Sequence, residues 1–300
     1  MSQHPALRSA IATLGTKLGP EVLSECMSLY RGMHSGASAP PAPTAADCEY
    51  GAHARQRADV YAPASSRGGA RPVLVWVHGG GFVRGEKRSP AHPFNAHVGA
   101  FAARAGWVGV VMNYRLAPEF GWPAGGEDVG AVVDWLQRHA SSYGGDANSI
   151  FLAGTSAGAT HIATHLHLRG KAHGARGAVL LSGLYGATPL EGADRLYYGD
   201  DESLHAARFP LPGVVNSDLP LLIACAELDP SRFQAEWLSV LGEARNKRGR
   251  VPRAHFASGH NHYTLAMHIG TTDTRLSDEI VEFVQEHAAD SRAASAAVGS

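Results

Sequence analysis

The segment SIFLAGTSAGA, residues 149–159, has the pattern of a buried strand, a tight turn and the start of a helix. Its apolar residues 150–152 supply the strand, and Gly154 and Gly158 let strand and helix approach each other closely around Ser156. A serine on such a turn exposes its hydroxyl above the sheet, which predicts a nucleophile. In a chain with 35 glycines the motif also fits an ordinary strand-to-helix turn, so partners for the serine must come from elsewhere.

Composition limits the classes of protein to which this chain can belong. Three hundred residues, 44% hydrophobic and 18% charged, suffice for one large α/β domain with a sizeable core. A formal net charge of −1 leaves no excess of positive charge that would attract nucleic acid or an anionic membrane. We therefore expect neither as a partner.

Cysteine usage and the lack of long apolar runs predict the compartment. The three cysteines are an odd number without CxxC spacing, which argues against a disulfide framework or a structural zinc site and favours a reducing compartment. The first twenty residues contain no continuous apolar stretch typical of a signal peptide, and no run long enough to span a membrane occurs. The expectation is a soluble, cytoplasmic protein without a metal.

Strand patterns alternate with helix patterns on both sides of the opening segment. Two strands are predicted between Cys48 and Tyr61, and further strands at 72–77, 107–113, 150–152, 178–181, 220–226 and 253–257. Helices are predicted at 20–33, 93–104, 127–139, 157–168, 233–245 and 274–287. This alternation predicts a mostly parallel, doubly wound sheet of about eight strands flanked by helices.

No feature of the sequence divides it into two cores. Residues 1–46 are expected to form a helical cap segment and a linker, of which 35–46 are rich in Ser, Ala and Pro. The catalytic domain is predicted over 47–290. Within it, 182–219 lack strong periodicity and are expected to form a lid or insertion, and 291–300 are expected to be a disordered tail.

Polar motifs directly follow four of the predicted strands. They are HGGGF at 78–82, the turn at Ser156, ELD at 227–229 and SGHNH at 258–262. In an open α/β sheet, ligands bind at the carboxyl ends of the strands. A glycine loop, a hydroxyl, an acid and a base are therefore expected to share one edge of the sheet.

These groups have the chemistry of nucleophilic catalysis. A serine hydroxyl is a poor nucleophile at neutral pH, so a histidine must take its proton and a carboxylate must fix the imidazole tautomer. The residues offer Glu227 or Asp229 as the carboxylate and His260 or His262 as the base. The oxyanion also needs preorganised donors. The expected donors are the backbone amides of Gly80, Gly81 and Ala157.

The same segments resemble the α/β-hydrolases, in particular the hormone-sensitive-lipase-like and bacterial esterase branches. The matching segments are HGGGF at 78–82, NYRLAPE at 113–119 with WPA at 122–124, YGGDANSIFLAGTSAG at 143–158 and AELDP at 226–230. The order of nucleophile, acid and histidine is that of the family. The resemblance implies an α/β-hydrolase fold and a carboxylesterase for small or medium esters, without a cofactor. It also implies Ser156 as nucleophile and Asp229, through its Asp-Pro match, as acid.

The segment GHNHYT, residues 259–264, leaves the choice of base open. The His-aromatic pair of relatives resembling kynurenine formamidase and feruloyl esterases selects His262, with His260 as the alternative. That resemblance also keeps an arylformamidase-type amidase open as a second activity. A rival of another class is a non-catalytic binding protein with this fold, like the gibberellin receptor, but such proteins lack the complete triad that this chain offers. The expected partner is then a small-molecule ester. Whether the chain forms a homo-oligomer stays open.

Other histidines and aromatic residues have alternative interpretations. His161 and His165 have the i,i+4 spacing of a metal pair, yet HExxH is absent and no acidic ligand is near in sequence, which favours packing or surface roles. His78 is expected to shape the glycine loop rather than to transfer protons. Phe82 and Trp122 are placed at the rim, with the core and an acyl pocket as equal alternatives.

Overall fold

The computed structural model describes residues 3–34, 42–64 and 70–298, with side chains described as far as residue 288. Within this part of the chain, the strands are β1 (Ala45–Glu49), β2 (Arg57–Tyr61), β3 (Arg71–Val77), β4 (Val108–Met112), β5 (Gly145–Thr155), β6 (Gly177–Leu181), β7 (Leu221–Leu228) and β8 (Arg253–Asn261). The α-helices are α1 (Pro5–Leu14), α2 (Pro20–Tyr30), α3 (Ala96–Arg104), α4 (Ala124–His139), α5 (Ala157–Arg169), α6 (Ala193–Tyr198), α7 (His205–Arg208), α8 (Leu211–Asn216), α9 (Ser231–Arg248), α10 (Thr264–Met267) and α11 (Arg275–Val298).

The described strands form one sheet in the order β1-β2-β4-β3-β5-β6-β7-β8. The pairs β1–β2 and β2–β4 are antiparallel, and all other pairs are parallel. The predicted doubly wound, mostly parallel sheet is thus confirmed. The chain winds outward from β3 in both directions, which makes the carboxyl end of β3 and its neighbours the place where a ligand binds in such sheets.

Residues on β3 alternate between two hydrophobic cores, as expected for a strand covered on both faces. Val73, Val75 and Val77 point into the core beneath α4 and α5, whereas Leu74 and Trp76 point into the core beneath α3 and α11. Because both faces are apolar, a slip of the strand by one residue would keep its side chains buried. It would, however, lose the fit of those side chains to the two cores. The two cores fix the position of the strand ends at which the polar motifs lie.

Helix α5 packs unusually closely on β3. A Cβ atom added to Gly158 would lie 2.1 Å from the carbonyl oxygen of Val77, and one added to Gly154 would lie 2.8 Å from the carbonyl carbon of Gly158. Both distances are far shorter than a van der Waals contact. The two glycines of the opening motif are therefore required by the approach of helix and strand.

The N-terminal helices α1 and α2 pack in a smaller core of their own. Cys26 and Tyr30 of α2 and Ile11 of α1 are fully buried there against Phe94 and Met267. The predicted helix over 20–33 is confirmed to Tyr30 and continues as one 3₁₀ turn. Helix α1 was not among the predicted helices: its N-cap is a histidine, which is not one of the residues that mark a helix start in a sequence.

The segment 182–219 contains the three short helices α6, α7 and α8, which its sequence pattern did not predict. The beginning of this segment is held by the buried carboxylate of Glu236 on α9. This carboxylate accepts hydrogen bonds from the amides of Tyr185, Ala187 and Thr188 at 2.8, 3.1 and 2.8 Å. A tertiary contact, rather than local periodicity, thus shapes the segment.

Elements of secondary structure run across both ends of the predicted catalytic domain. Strand β1 begins at Ala45, inside the predicted linker, because it pairs with β2. At the other end, α11 has helical backbone through Val298, and the expectation of a disordered tail over 291–300 stays a prediction. Residues 35–41 of the linker and 299–300 of the tail lie outside the described residues. None of the described helices combines the length and the apolar character that crossing a bilayer requires.

The close packing of α5 predicts that Gly158→Ala destabilises the protein. The added methyl group would overlap the Val77 carbonyl, and overpacking of this kind costs about 2 kcal/mol. Gly242→Ala is the matched control, because this glycine is exposed inside α9 with open space around it, and alanine there should stabilise by about 0.5–1 kcal/mol. Urea denaturation of the two variants measures both effects. Equal stability of Gly158→Ala and the wild type would contradict the packing account.

Candidate active site

Ser156 occupies the strained turn between β5 and α5. Its backbone has φ 53° and ψ −124°, a left-handed conformation that is rare for a residue with a side chain. The turn is held by a 2.8 Å hydrogen bond from the Ser156 amide to the carbonyl of Leu181, at the end of the neighbouring β6. The side chain is partly exposed. Ala157 begins α5, so its amide has no carbonyl acceptor within the helix and can serve a ligand.

Asp229 and His262 form a buried pair at the ends of β7 and β8. His262 Nδ1 lies 2.7 Å from Asp229 Oδ1, with the aspartate 1% and the histidine 6% exposed. An ionised carboxylate only accepts hydrogen bonds, so Nδ1 carries the proton and Nε2 is left as the basic nitrogen. The ring of Phe233 packs at 4.3 Å from the imidazole. This pair has the arrangement of a general base with its orienting acid.

The second oxygen of Asp229 is also fully engaged. Its Oδ2 accepts hydrogen bonds from Ser182 Oγ at 2.5 Å, from the Ala226 amide at 2.7 Å and from Cys225 Sγ at 3.2 Å. Burial by itself acts to raise the pKa of Asp229, but the hydrogen bonds from His262, Ser182 and Ala226 hold that pKa below its usual value. The carboxylate therefore stays ionised at neutral pH.

Ser182 and Cys225 were not predicted as site residues. Ser182 directly follows β6 and has a φ of 44°, so the rule that polar groups follow parallel strands would have found it. No sequence signal marks Cys225, which lies inside β7. Burial, with the nearby Asp229 charge, raises the pKa of its thiol, so the thiol stays protonated and donates to the carboxylate.

The alternative acid and base lie inside strands rather than after them. β7 and β8 run on to Leu228 and Asn261, which pair with each other past a register shift. His260 Nε2 lies 3.1 Å from Asp273 and its ring stacks on His268, so the structure pairs it with a different carboxylate. Glu227 is part-exposed and accepts hydrogen bonds from Ser258 Oγ and from the Gly259 amide.

The glycine loop after β3 starts beside the serine. A Cβ atom added to Gly79 would lie 3.3 Å from Ser156 Cβ. Gly80 and Gly81 follow with φ of 135° and 58°, and a Cβ on Gly80 would lie 2.0 Å from the carbonyl oxygen of Arg84. The conformation of the loop at Gly80 therefore requires glycine.

His78 and His161 are buried and neutral beneath this loop. His78 Nδ1 lies 2.7 Å from the Gly79 carbonyl, and its ring stacks on Tyr114 at 4.3 Å. The ring of His161 contacts Tyr114 and Phe82, and its nitrogens have no hydrogen-bond partner among the residues that the structure describes. Burial lowers the pKa of His78 to about 4 and that of His161 to about 3.

Within the described ranges, no three His, Cys, Asp or Glu side chains gather as metal ligands would.

Phe82 belongs to the core rather than to an open rim. It is 1% exposed and stacks face to face on Tyr197 at 4.6 Å, in an aromatic cluster that also contains Tyr198 and Ala157. Trp122 remains partly exposed at the side of this cluster. Phe82 thus lies in the core, while the alternatives of core and acyl pocket stay open for Trp122.

Comparisons with known proteins show that this chain is similar to esterases. The family model described as BD-FAE matches residues 58–181. The probable carboxylic ester hydrolase LipM of Mycobacterium tuberculosis is 34% identical over 161 residues, which cover 49% of this chain and 36% of that protein. Esterase LipQ of the same organism is 28% identical over 242 residues, which cover 70% of this chain and 56% of that protein. The chain thus spans less than two thirds of the length of either relative.

Solved structures match nearly the whole chain. The hyperthermophilic esterase of Pyrobaculum calidifontis is 25% identical and has a TM-score of 0.65, over 96% of this chain and 99% of that one. Esterase B of Lactobacillus rhamnosis is 16% identical and has a TM-score of 0.73, over 98% of this chain and 99% of that one. Both share the fold of this chain.

The buried neutral state of His161 predicts a pH-dependent stability. Its pKa is lower in the folded state than the value near 6.5 of the unfolded chain, so below pH 6.5 the unfolded state binds the proton first and stability falls. Between pH 7 and pH 5, the wild type should lose about 2 kcal/mol more than His161→Leu, which lacks the group. Denaturation curves at both pH values measure this difference, and steric effects of the substitution cancel in it.

The control for this measurement is the same substitution at the exposed His139. It reports what a His→Leu change does outside the core. Equal pH dependence of the wild type and His161→Leu would show that His161 is not held neutral by burial.

Proposed function

We propose that this chain, an α/β-hydrolase in fold, is a carboxylesterase that cleaves small or medium carboxylic esters through an acyl-enzyme intermediate at Ser156. The observation that carries the proposal is the buried 2.7 Å hydrogen bond between His262 and Asp229, at the sheet edge that also holds the strained serine turn. The names of the relatives and structural neighbours support the same activity.

The first half of the reaction transfers the acyl group to the enzyme. Ser156 Oγ attacks the ester carbonyl while His262 Nε2 takes its proton, and the charge on Asp229 stabilises the imidazolium that forms. The carbonyl oxygen becomes an oxyanion and accepts hydrogen bonds from the amides of Gly80, Gly81 and Ala157. When the tetrahedral intermediate collapses, His262 returns the proton to the departing alcohol oxygen.

The second half releases the acid. A water molecule attacks the acyl-enzyme carbonyl, His262 takes a proton from this water, and the same amides stabilise the second oxyanion. Collapse then breaks the bond to Ser156 Oγ, which regains its proton from His262. The hydrogen bonds from Ser182 and Ala226 keep Asp229 ionised throughout, so the imidazolium has a fixed partner in both halves.

The proposal extends to the compartment. Cys26, Cys48 and Cys225 are all free thiols, and the first and last of them are buried. A thiol that donates to the acid, as Cys225 does, fits a reducing environment. A cytoplasmic location is therefore part of the proposal.

Alanine variants of the proposed triad test the function. With p-nitrophenyl acetate as substrate, Ser156→Ala and His262→Ala should each lower kcat by about 10⁴-fold, because both residues act as one unit. His260→Ala is the matched control: it removes an equally buried imidazole paired with Asp273, and it should lose far less. Initial rates of purified, folded variants provide the comparison.

Two results of that comparison would count against the proposal. Full turnover by Ser156→Ala would remove the serine from the chemistry. A loss in His260→Ala as large as that in Ser156→Ala, with activity kept in His262→Ala, would exchange the roles of the two histidines.

A further inference from the structure

The residues on both sides of His262 are held from outside the α/β domain. Residues 3–30 contact four of its near neighbours through hydrogen bonds. Gln3 Nε2 donates to the Gly259 carbonyl at 3.1 Å, and Tyr30 OH lies 3.5 Å from His260 Nδ1. Asn261 Nδ2 donates to Cys26 Sγ at 3.4 Å, and the Gly19 amide donates to Tyr263 OH at 2.9 Å. His262 itself faces inward to Asp229.

The backbone conformation at Gly259 fits this docking. Its φ is 83°, and an added Cβ atom would lie 2.3 Å from Gln3 Oε1 and 3.2 Å from Arg8 Cγ. The N-terminal segment therefore passes so close to β8 that no side chain fits between them. Arg8 adds a hydrogen bond to Ser258 Oγ at 3.1 Å on the same side.

The docked surface is apolar as well as hydrogen-bonded. Cys26 and Tyr30 are fully buried, and Tyr263 and Leu228 pack against the core that they form with Ile11. Leu228 is the residue before Asp229, and Tyr263 is the residue after His262. The small N-terminal core thus touches the chain beside both members of the acid–base pair.

A single hydrogen bond does not fix an imidazole. The bond from Nδ1 to Asp229 and the packed ring of Phe233 constrain the side chain, but Nε2 still follows any shift of the backbone that carries it. The position of the backbone on either side of His262 is therefore a further constraint. Displacements of about 1 Å at a catalytic group cost about 10²-fold in rate, so this constraint has a large effect on turnover.

We propose that residues 3–34 act as a positioning element for His262. By fixing the backbone at residues 259–263, they aim His262 Nε2 at the serine. This inference rests on the proposed function, because it assigns the N-terminal helices a role in that same site. It assigns them to the chemical step rather than to substrate binding. The predicted signature is a fall in kcat with KM unchanged.

The test uses the full chain and removes two contacts without removing a helix. Cys26→Ala/Tyr263→Phe deletes the sulfur next to Asn261 and the hydroxyl that accepts from the Gly19 amide. With p-nitrophenyl acetate, kcat should fall about tenfold, while KM should stay within about twofold and Tm should change by a few degrees at most. Restoring a polar group in Cys26→Ser/Tyr263→Phe should recover part of kcat.

The chain offers a matched control at the opposite edge of the sheet. There, Cys48 Sγ of β1 lies 3.6 Å from Tyr143 OH, so Cys48→Ala/Tyr143→Phe makes the same chemical changes far from β8. This control should keep the wild-type kcat and KM. A similar fall in kcat in both double variants would show a general structural effect and overturn the proposal.

The remaining outcomes separate the two proposals. A wild type without Ser156-dependent hydrolysis would overturn the proposed function and this inference with it. A wild type that hydrolyses the ester, together with an unchanged kcat in Cys26→Ala/Tyr263→Phe, would overturn the positioning role alone. A rise in KM with kcat unchanged would do the same, since it would assign the N-terminal helices to substrate binding.

Discussion

The hydrogen bond between Asp229 Oδ1 and His262 Nδ1 is the interaction on which the geometry of the site depends. A carboxylate that is 1% exposed is costly to bury unless its lone pairs are satisfied, and here four donors satisfy them. Those donors come from β6, β7 and the end of β8, which are adjacent and parallel. The order of the strands thus brings together groups that are far apart in the sequence, and their hydrogen bonds stabilise one buried charge.

Backbone strain at the sheet edge has the same origin. Ser156 and Ser182 each follow a parallel strand with positive φ, and each donates its amide to the neighbouring strand, to Leu181 and Ala224 respectively. Such conformations persist only where the surroundings fix them. The close approach of α5 to β3 at Gly158 and the two hydrophobic cores supply that rigidity. Ser156 and Ser182, which donates to Asp229, are therefore held by the same backbone arrangement.

Local pattern was enough to predict the sheet and most of its helices, because apolar runs and helical spacing are properties of short segments. It could not separate His260 from His262, since residues two apart on a strand share a face and differ here only because β8 ends between them. That end is set by pairing of Asn261 with Leu228, a tertiary contact. The same extension of β7 puts Glu227 inside a strand and Asp229 after it. The helices of 182–219 were missed because a tertiary contact, in which Glu236 holds residues 185–188, shapes the start of that segment, and helix α1 was missed because a histidine is an unusual N-cap.

The central claim is that His262, held by Asp229, activates Ser156, and covalent labelling tests it most directly. A fluorophosphonate probe reacts with a serine that a base has activated, and peptide mapping by mass spectrometry locates the adduct. The account predicts one adduct, on Ser156, which forms more slowly by about 10³-fold or more in His262→Ala but by about tenfold at most in His260→Ala. An adduct on another residue, or labelling of Ser156 at the wild-type rate without His262, would contradict the account.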